Sequence, residues 1–264
     1  MFLGVDIGSS SSKAVVLDEK QQIIATAVIN TGTGTHGPEK AVMAALLQAK
    51  LGATEIKFTV ATGYGRITYE KADKQVTEIS CHGKGATFLA PQARTVIDIG
   101  GQDAKIIRID DTGKIENFVM NDKCAAGTGR FLEVMARILD CKIGELSAFA
   151  RNSTQEISIS SICTVFAESE VISQLAAGAA KEDVAQGVHQ SVAKRVAGLA
   201  NRIGIRPDIV MTGGVALNDS MVATLSQELK QNIAVVPFPQ LVGAVGAALY
   251  AAEFYRKQLV KTLL

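Results

Sequence analysis

The chain has 264 residues, with 27 Lys and Arg against 26 Asp and Glu for a net charge of +1, and neither sign is grouped in blocks. That balance excludes a general electrostatic grip on nucleic acid or an anionic membrane, and a hydrophobic content of 47% excludes a disordered chain. This length buries a large core and suits two lobes, while 24 glycines and no tryptophan point to tightly turned α/β architecture.

The apolar run over 241–252 falls short of the roughly 20 residues that span a bilayer. Asp6 interrupts the first apolar residues before a signal segment can develop, so the expectation is a cytoplasmic protein. Four cysteines, Cys81, Cys124, Cys141 and Cys163, contain no C-x-x-C pair. They are too sparse for a disulfide framework and read as free thiols or metal ligands.

In chain order, residues 4–17 form an apolar strand ending in Asp6, a turn and a second apolar strand. The same pattern returns at residues 96–109, where Asp98, Gly100 and Lys105 match Asp6, Gly8 and Lys13 at a constant offset of 92. Each copy reads as a hairpin with a polar tip. The duplication divides the chain into lobes 1–92 and 93–264, with the C-terminal helix able to return to the first lobe. Between the copies, the pattern predicts a helix over 38–51 ending at Gly52, a strand over 56–61 and mostly helical structure over 69–89. Beyond the second copy, Phe131, Val134, Met135, Ile138 and Leu139 share one helix face. Val184, Val188, Val192, Val196, Leu199 and Ile203 form another stripe, closed by Gly204. A strand over 208–212 then runs into Gly213-Gly214, and a final helix rich in small residues begins near Gly243.

A turn whose amides converge on one point, with glycine allowing close approach and hydroxyls and an ammonium beside it, makes a phosphate pocket. Gly8, Ser9, Ser10, Ser11, Ser12 and Lys13 have this composition, and Gly100 and Gly101 occupy the second tip. A single Gly-Ser turn is mostly just a turn; its duplication suggests a cleft where nucleotide phosphates lie between the tips. Asp6 and Asp98 are placed to hold Mg²⁺ through water. Gln102 and Asp103 either orient a water on the γ-phosphate or serve as ordinary polar turn residues.

Taken with Ile209-Val210-Met211-Thr212-Gly213-Gly214-Val215-Ala216, the two hairpins resemble the phosphate and adenosine motifs of the superfamily of acetate and sugar kinases, heat-shock chaperones and actin. Within it, Met120-Asn121-Asp122-Lys123-Cys124-Ala125-Ala126-Gly127-Thr128-Gly129-Arg130-Phe131 and Cys163-Thr164-Val165-Phe166-Ala167-Glu168-Ser169-Glu170 resemble the ATP-dependent activators of 2-hydroxyacyl-CoA dehydratases. The resemblance spans nearly the whole chain. It implies two ribonuclease-H-like, actin-like lobes, ATP or ADP as ligand, and a homodimer sharing one [4Fe-4S] cluster held by Cys124 and Cys163 of each chain. It further implies ferredoxin or flavodoxin as electron donor and an iron-sulfur (R)-2-hydroxyacyl-CoA dehydratase as acceptor. Two cysteines cannot complete a four-thiolate cluster unless a second chain supplies the other pair.

Both cysteines directly precede helical patterns, 127–139 and 164–175, so both thiolates are expected at helix N-termini, where partial positive charge stabilises an anionic cluster. Half a charge about 5 Å away at an effective dielectric of about 20 gives on the order of 1.5 kcal/mol per helix for one added electron. Four helices together then shift the potential by roughly a few hundred millivolts. Cys141 reads as a small buried hydrophobe. Cys81 reads the same way, against the alternative that His82 activates it or joins it on a metal. Lys123 and Arg130 are either contacts for an acidic partner or solvated charges, and Glu168 and Glu170 are expected to cap a helix start. Asn218 either meets ribose or caps the next helix, and Gln240 is placed near adenine. The rival readings are an ATPase subunit of a benzoyl-CoA reductase, a small-molecule kinase and an actin-like filament protein.

Overall fold

A computed structural model describes residues 1–121, 124–160 and 163–263. Lys123, one of the two candidate contacts for an acidic partner, lies outside the described residues. The chain divides into two compact units, one of Met1–Gln92, Asp110–Ile115 and Val236–Leu264, the other of Ala93–Ile109 and Glu116–Val235.

The first unit opens with β1 (Phe2–Ile7), β2 (Ser12–Leu17), β3 (Ile23–Ile29), α1 (Gly37–Ala49), β4 (Phe58–Thr62), β5 (Lys74–Gln75) and α2 (Glu78–Leu89). Its sheet has the order β3-β2-β1-β4-β5. β2 runs antiparallel to β1 and β4 parallel to it, so that Asp6 lies in register with Lys13 on one side and Thr62 on the other. Leu3, Val5 and Ile7 bury against α1 with Ala41 and Ala45; Phe2, Val15 and Leu17 bury on the opposite face. Burial of both faces explains why these strands read as continuous apolar runs instead of alternating ones.

The second unit supplies β6 (Thr95–Ile99), β7 (Ala104–Ile109), β8 (Ile115–Asn121), α3 (Gly129–Ile138), α4 (Leu146–Arg151), α5 (Thr164–Ala176), α6 (Lys181–Ile203), β9 (Ile209–Thr212), α7 (Asp219–Leu229) and β10 (Ile233–Val235), and α8 (Val242–Leu263) closes the chain in the first unit. The second sheet has the order β10-β9-β6-β7-β8, with Asp98 in register with Lys105 and Thr212. Counted from each unit's first strand, the two sheets have the same strand order. The predicted helical stripes fill the second core: Phe131, Met135 and Leu139 of the first stripe and Val184, Val188, Val192 and Val196 of the second are buried.

Several boundaries differ from the sequence pattern. Of residues 69–89 only Glu78–Leu89 is helical, preceded by the two-residue strand β5. The predicted helix over 38–51 ends at Ala49, because Lys50 adopts the left-handed conformation at φ 57°. Cys124 does not directly precede a helix: residues 125–128 separate it from α3, with Gly127 at φ +83° turning the chain. Glu168 and Glu170 lie past the first turn of α5 and do not cap its start; Glu170 accepts hydrogen bonds from the backbone and hydroxyl of Ser160.

α8 packs tightly against β1 and α2. A Cβ at Gly4 would lie 2.1 Å from the Ala244 carbonyl oxygen, and one at Gly246 would overlap the Cys81 carbonyl. No residue larger than glycine permits these approaches. They bring the end of β1, the second turn of α2 and the start of α8 together around Asp6.

Candidate functional site

In the first unit, the hairpin tip is closed by Gly8 N–H donating to Ser11 O at 3.0 Å, and Gly8 O accepts from Thr33 N–H at 2.9 Å. Ser9, Ser10 and Ser11 are half-buried, whereas the buried Ser12 hydroxyl is engaged, donating to Thr31 O at 2.8 Å. Lys13 Nζ is 3.5 Å from Asp6 Oδ2 and 3.4 Å from where a Cβ at Gly8 would stand, so the ammonium rests beside the turn. Asp6 is 5% exposed.

The second tip has the same backbone closure, Gly100 N–H to Asp103 O at 2.9 Å, but a different charge arrangement. Lys105, 3% exposed, pairs with both Asp98 (3.0 Å) and Asp103 (2.9 Å). Thr212 Oγ1 donates to the other Asp98 oxygen at 2.7 Å. Gln102 is exposed at the tip, while the Asp103 carboxylate is held by Lys105. The tip's outward carbonyls are also occupied: Gly100 O accepts from Gly129 N–H and Gly101 O from Arg130 N–H, both at 2.8 Å. These are the first two amides of α3, groups that a helix cannot satisfy internally.

β9 is followed by Gly213, whose φ of +87° brings it onto the backbone of Ile99, and Gly214 begins a single 3₁₀ turn. Asn218 caps α7, its Oδ1 accepting from Met221 N–H at 2.9 Å while the side chain also meets His189 Nε2; of the two roles read for it, the structure displays the cap. Gln240 is half-buried in a 3₁₀ turn of the first unit.

The sequence reading missed three participants. Lys105 was seen in the repeat but not as the bridge between two carboxylates. Thr212 was part of a motif without a partner. Thr62-Gly63 is the first unit's counterpart of Thr212-Gly213: each pair ends a parallel strand beside the Asp-bearing one, and both glycines have φ +87°. The shared Thr-Gly at the end of two apolar strands was the available signal.

Cys163 is the exposed N-cap of α5, and Cys124 is half-buried in the loop before α3. Asn121 clamps that loop, its Nδ2 donating to Cys124 O (3.0 Å) and Ala126 O (3.2 Å). The N-terminal amides of α3 face the second hairpin, so helix-dipole stabilisation of a thiolate applies to Cys163 and α5 and not to Cys124. Cys81 is fully buried, and burial pushes its thiol up to about 12, where it is inert at neutral pH. Burial, with Glu145 nearby, also raises Cys141. Among the described residues no three His, Cys, Asp or Glu side chains form a metal-holding group, and no helix is long and apolar enough to cross a membrane. The two free cysteines Cys124 and Cys163 of one unit fit half of a cluster's soft ligand set, and the Asp6 carboxylate, contacted by Lys13 at 3.5 Å, fits water-mediated Mg²⁺.

The family model of the BadF/BadG/BcrA/BcrD ATPase family matches residues 3–251. The chain is 55% identical to the activator of lactoyl-CoA dehydratase of Anaerotignum propionicum, over 97% of this chain and 99% of that one. It is 52% identical to the (R)-2-hydroxyglutaryl-CoA dehydratase activating ATPase of Acidaminococcus fermentans, over 94% and 96%. The solved structure of the activator of the 2-hydroxyisocaproyl-CoA dehydratase from Clostridium difficile, with bound ADPNP, superposes with a TM-score of 0.96 at 50% identity, covering 99% of this chain and 98% of that one.

Proposed function

The chain belongs to the BadF/BadG/BcrA/BcrD ATPase family, and we propose that it activates an (R)-2-hydroxyacyl-CoA dehydratase by ATP-driven delivery of one electron. The turns at Gly8–Lys13 and Gly100–Gly101 hold the phosphates of ATP, and Asp6 and Asp98 hold its Mg²⁺ through water. Gly213, Gly214, Asn218 and Gln240 serve the adenosine. Cys124 and Cys163 from each of two chains hold a [4Fe-4S] cluster, which supplies one-electron chemistry at low potential. Reduced ferredoxin or flavodoxin is the donor.

The observation that carries the reading is the pair of hydrogen bonds from Gly129 and Arg130 to the tip carbonyls of the second hairpin. A change in the phosphates at this tip displaces the backbone to which α3 is attached, and α3 begins five residues after Cys124. Nucleotide state and thiolate position therefore share one stretch of backbone, the arrangement that a two-state coupling requires.

Purification under nitrogen tests this. The expected result is about four iron and four acid-labile sulfide per two chains, colour lost in Cys163→Ser with ADP binding retained, and activation of a dehydratase that needs both ATP and a reduced donor. A colourless, iron-free wild-type protein overturns it. Co-purification as a stable complex with reductase subunits would favour the benzoyl-CoA reductase reading.

A further inference from the structure

His82 has no part in the reading above, yet it is 8% exposed beside Asp6, a buried carboxylate of the first unit. The alternation of β1 puts Asp6 on the α8 face of the sheet, with Phe2 and Gly4. On that face Gly243, the second residue of α8, has no side chain where a Cβ would meet His82 Nε2 at 3.0 Å and Asp6 Oδ2 at 3.1 Å. Imidazole and carboxylate thus border one spot too tight for a methyl group at its ordinary contact distance, and lie within reach of each other directly or through a single water. The backbone beside it is fixed in place, because Cys81 packs against Gly246 of α8.

Oδ2 of Asp6 is also the oxygen that Lys13 approaches, at 3.5 Å, beyond the length of a strong charge-assisted hydrogen bond. At that distance the ammonium holds the carboxylate only loosely, and it is the same group that meets the phosphates in the reading above. We propose that His82 is a positioning residue for Asp6: as the Nε2–H tautomer it donates to Oδ2, directly or through one water over Gly243, and keeps the carboxylate aimed when Lys13 turns to the phosphates. The proposal rests on the reading that Asp6 serves the nucleotide's Mg²⁺.

Calorimetric binding of ADP with and without Mg²⁺ to the full-length chain tests it, without recourse to electron transfer. The wild type is expected to bind MgADP more tightly than ADP. His82→Ala should lose about tenfold in MgADP affinity, the scale of a hydrogen bond to a charged group, and keep its affinity for Mg²⁺-free ADP. His82→Gln, whose amide N–H can replace the imidazole donor, should restore most of the loss. An unchanged Mg²⁺ advantage in His82→Ala overturns the proposal, as does an equal loss for both ligands or a loss that His82→Gln does not repair. Gly243→Ala gives a second reading if His82→Ala does not fold, since alanine favours the helix while its methyl crowds that spot; a reduced Mg²⁺ advantage supports the proposal and an unaltered one overturns it. Asp6→Asn separates the two levels. If it binds MgADP as the wild type does, the Mg²⁺ role of Asp6 fails; if it loses the Mg²⁺ advantage while His82→Ala does not, the role of His82 alone fails.

Discussion

The two hairpins match residue for residue in register, but their charges are satisfied differently. In the second unit Lys105 joins Asp98 to Asp103 and Thr212 closes on Asp98, all within hydrogen-bond distance. In the first, Lys13 stands 3.5 Å from Asp6, and the buried Thr62 Oγ1, whose neighbour is the Cys81 thiol, makes no hydrogen bond to an oxygen or nitrogen among the described residues. One tip is a closed ionic network; the other leaves its cation able to turn elsewhere. A duplicated motif therefore need not carry duplicated contacts: the second copy ties its cation to two carboxylates, whereas the first leaves its cation loosely paired.

The largest expected contrast is between the two lysines. Lys105→Ala removes the cation shared by buried Asp98 and half-buried Asp103 and should cost about 3–5 kcal/mol, measured by urea denaturation. Lys13→Ala should cost less than about 1 kcal/mol in the same titration but weaken ADP binding by calorimetry. Equal destabilisation would break the comparison. The threonines give the next step. Thr212→Val removes a donor to a buried carboxylate and should cost about 1.5–3 kcal/mol, whereas Thr62→Val, which removes a hydroxyl beside the neutral Cys81 thiol and no bond to a carboxylate, should cost less than about 1 kcal/mol.

Acid should act through the second unit. Burial holds the His189 pKa below its ordinary 6.5, with Ala185 and Asn218 opposing. Neutral in the fold, His189 takes up a proton more readily once unfolded, so stability is complete above about 6.5 and declines as pH falls through the range below it. The urea midpoint should therefore drop between about pH 7 and 5, and less so in His189→Gln; parallel profiles would exclude His189 as the cause. The smallest effect is on thiol reactivity. In iron-free protein iodoacetamide should label exposed Cys163 readily and leave Cys81, pushed up to about 12, untouched until unfolding, as peptide mass mapping would show.

The hairpins, the helical stripes and the Thr-Gly strand end at 212–213 were legible because each rests on local periodicity or a repeated turn. What escaped was non-local or too short. β5 has two residues, fewer than any alternation needs. The helical pattern over 127–139 starts two residues early, because Gly127 at φ +83° turns the chain before α3. The Thr212–Asp98 bond joins positions 114 apart, and neither residue type alone announces it. The same holds for the α3 amides. Their partners are carbonyls, which carry no side-chain signature, so the helix-dipole argument assigned to Cys124 a charge that the fold directs to Gly100 and Gly101.

Those two bonds make the start of α3 an internal reporter of the second turn. The protons on the nitrogens of residues 129 and 130 are sealed by oxygens of another segment, so their replacement by deuterium requires that segment to let go. Deuterium uptake at these positions would time each release of the turn, giving a clock for the nucleotide cycle that works in protein carrying no metal at all.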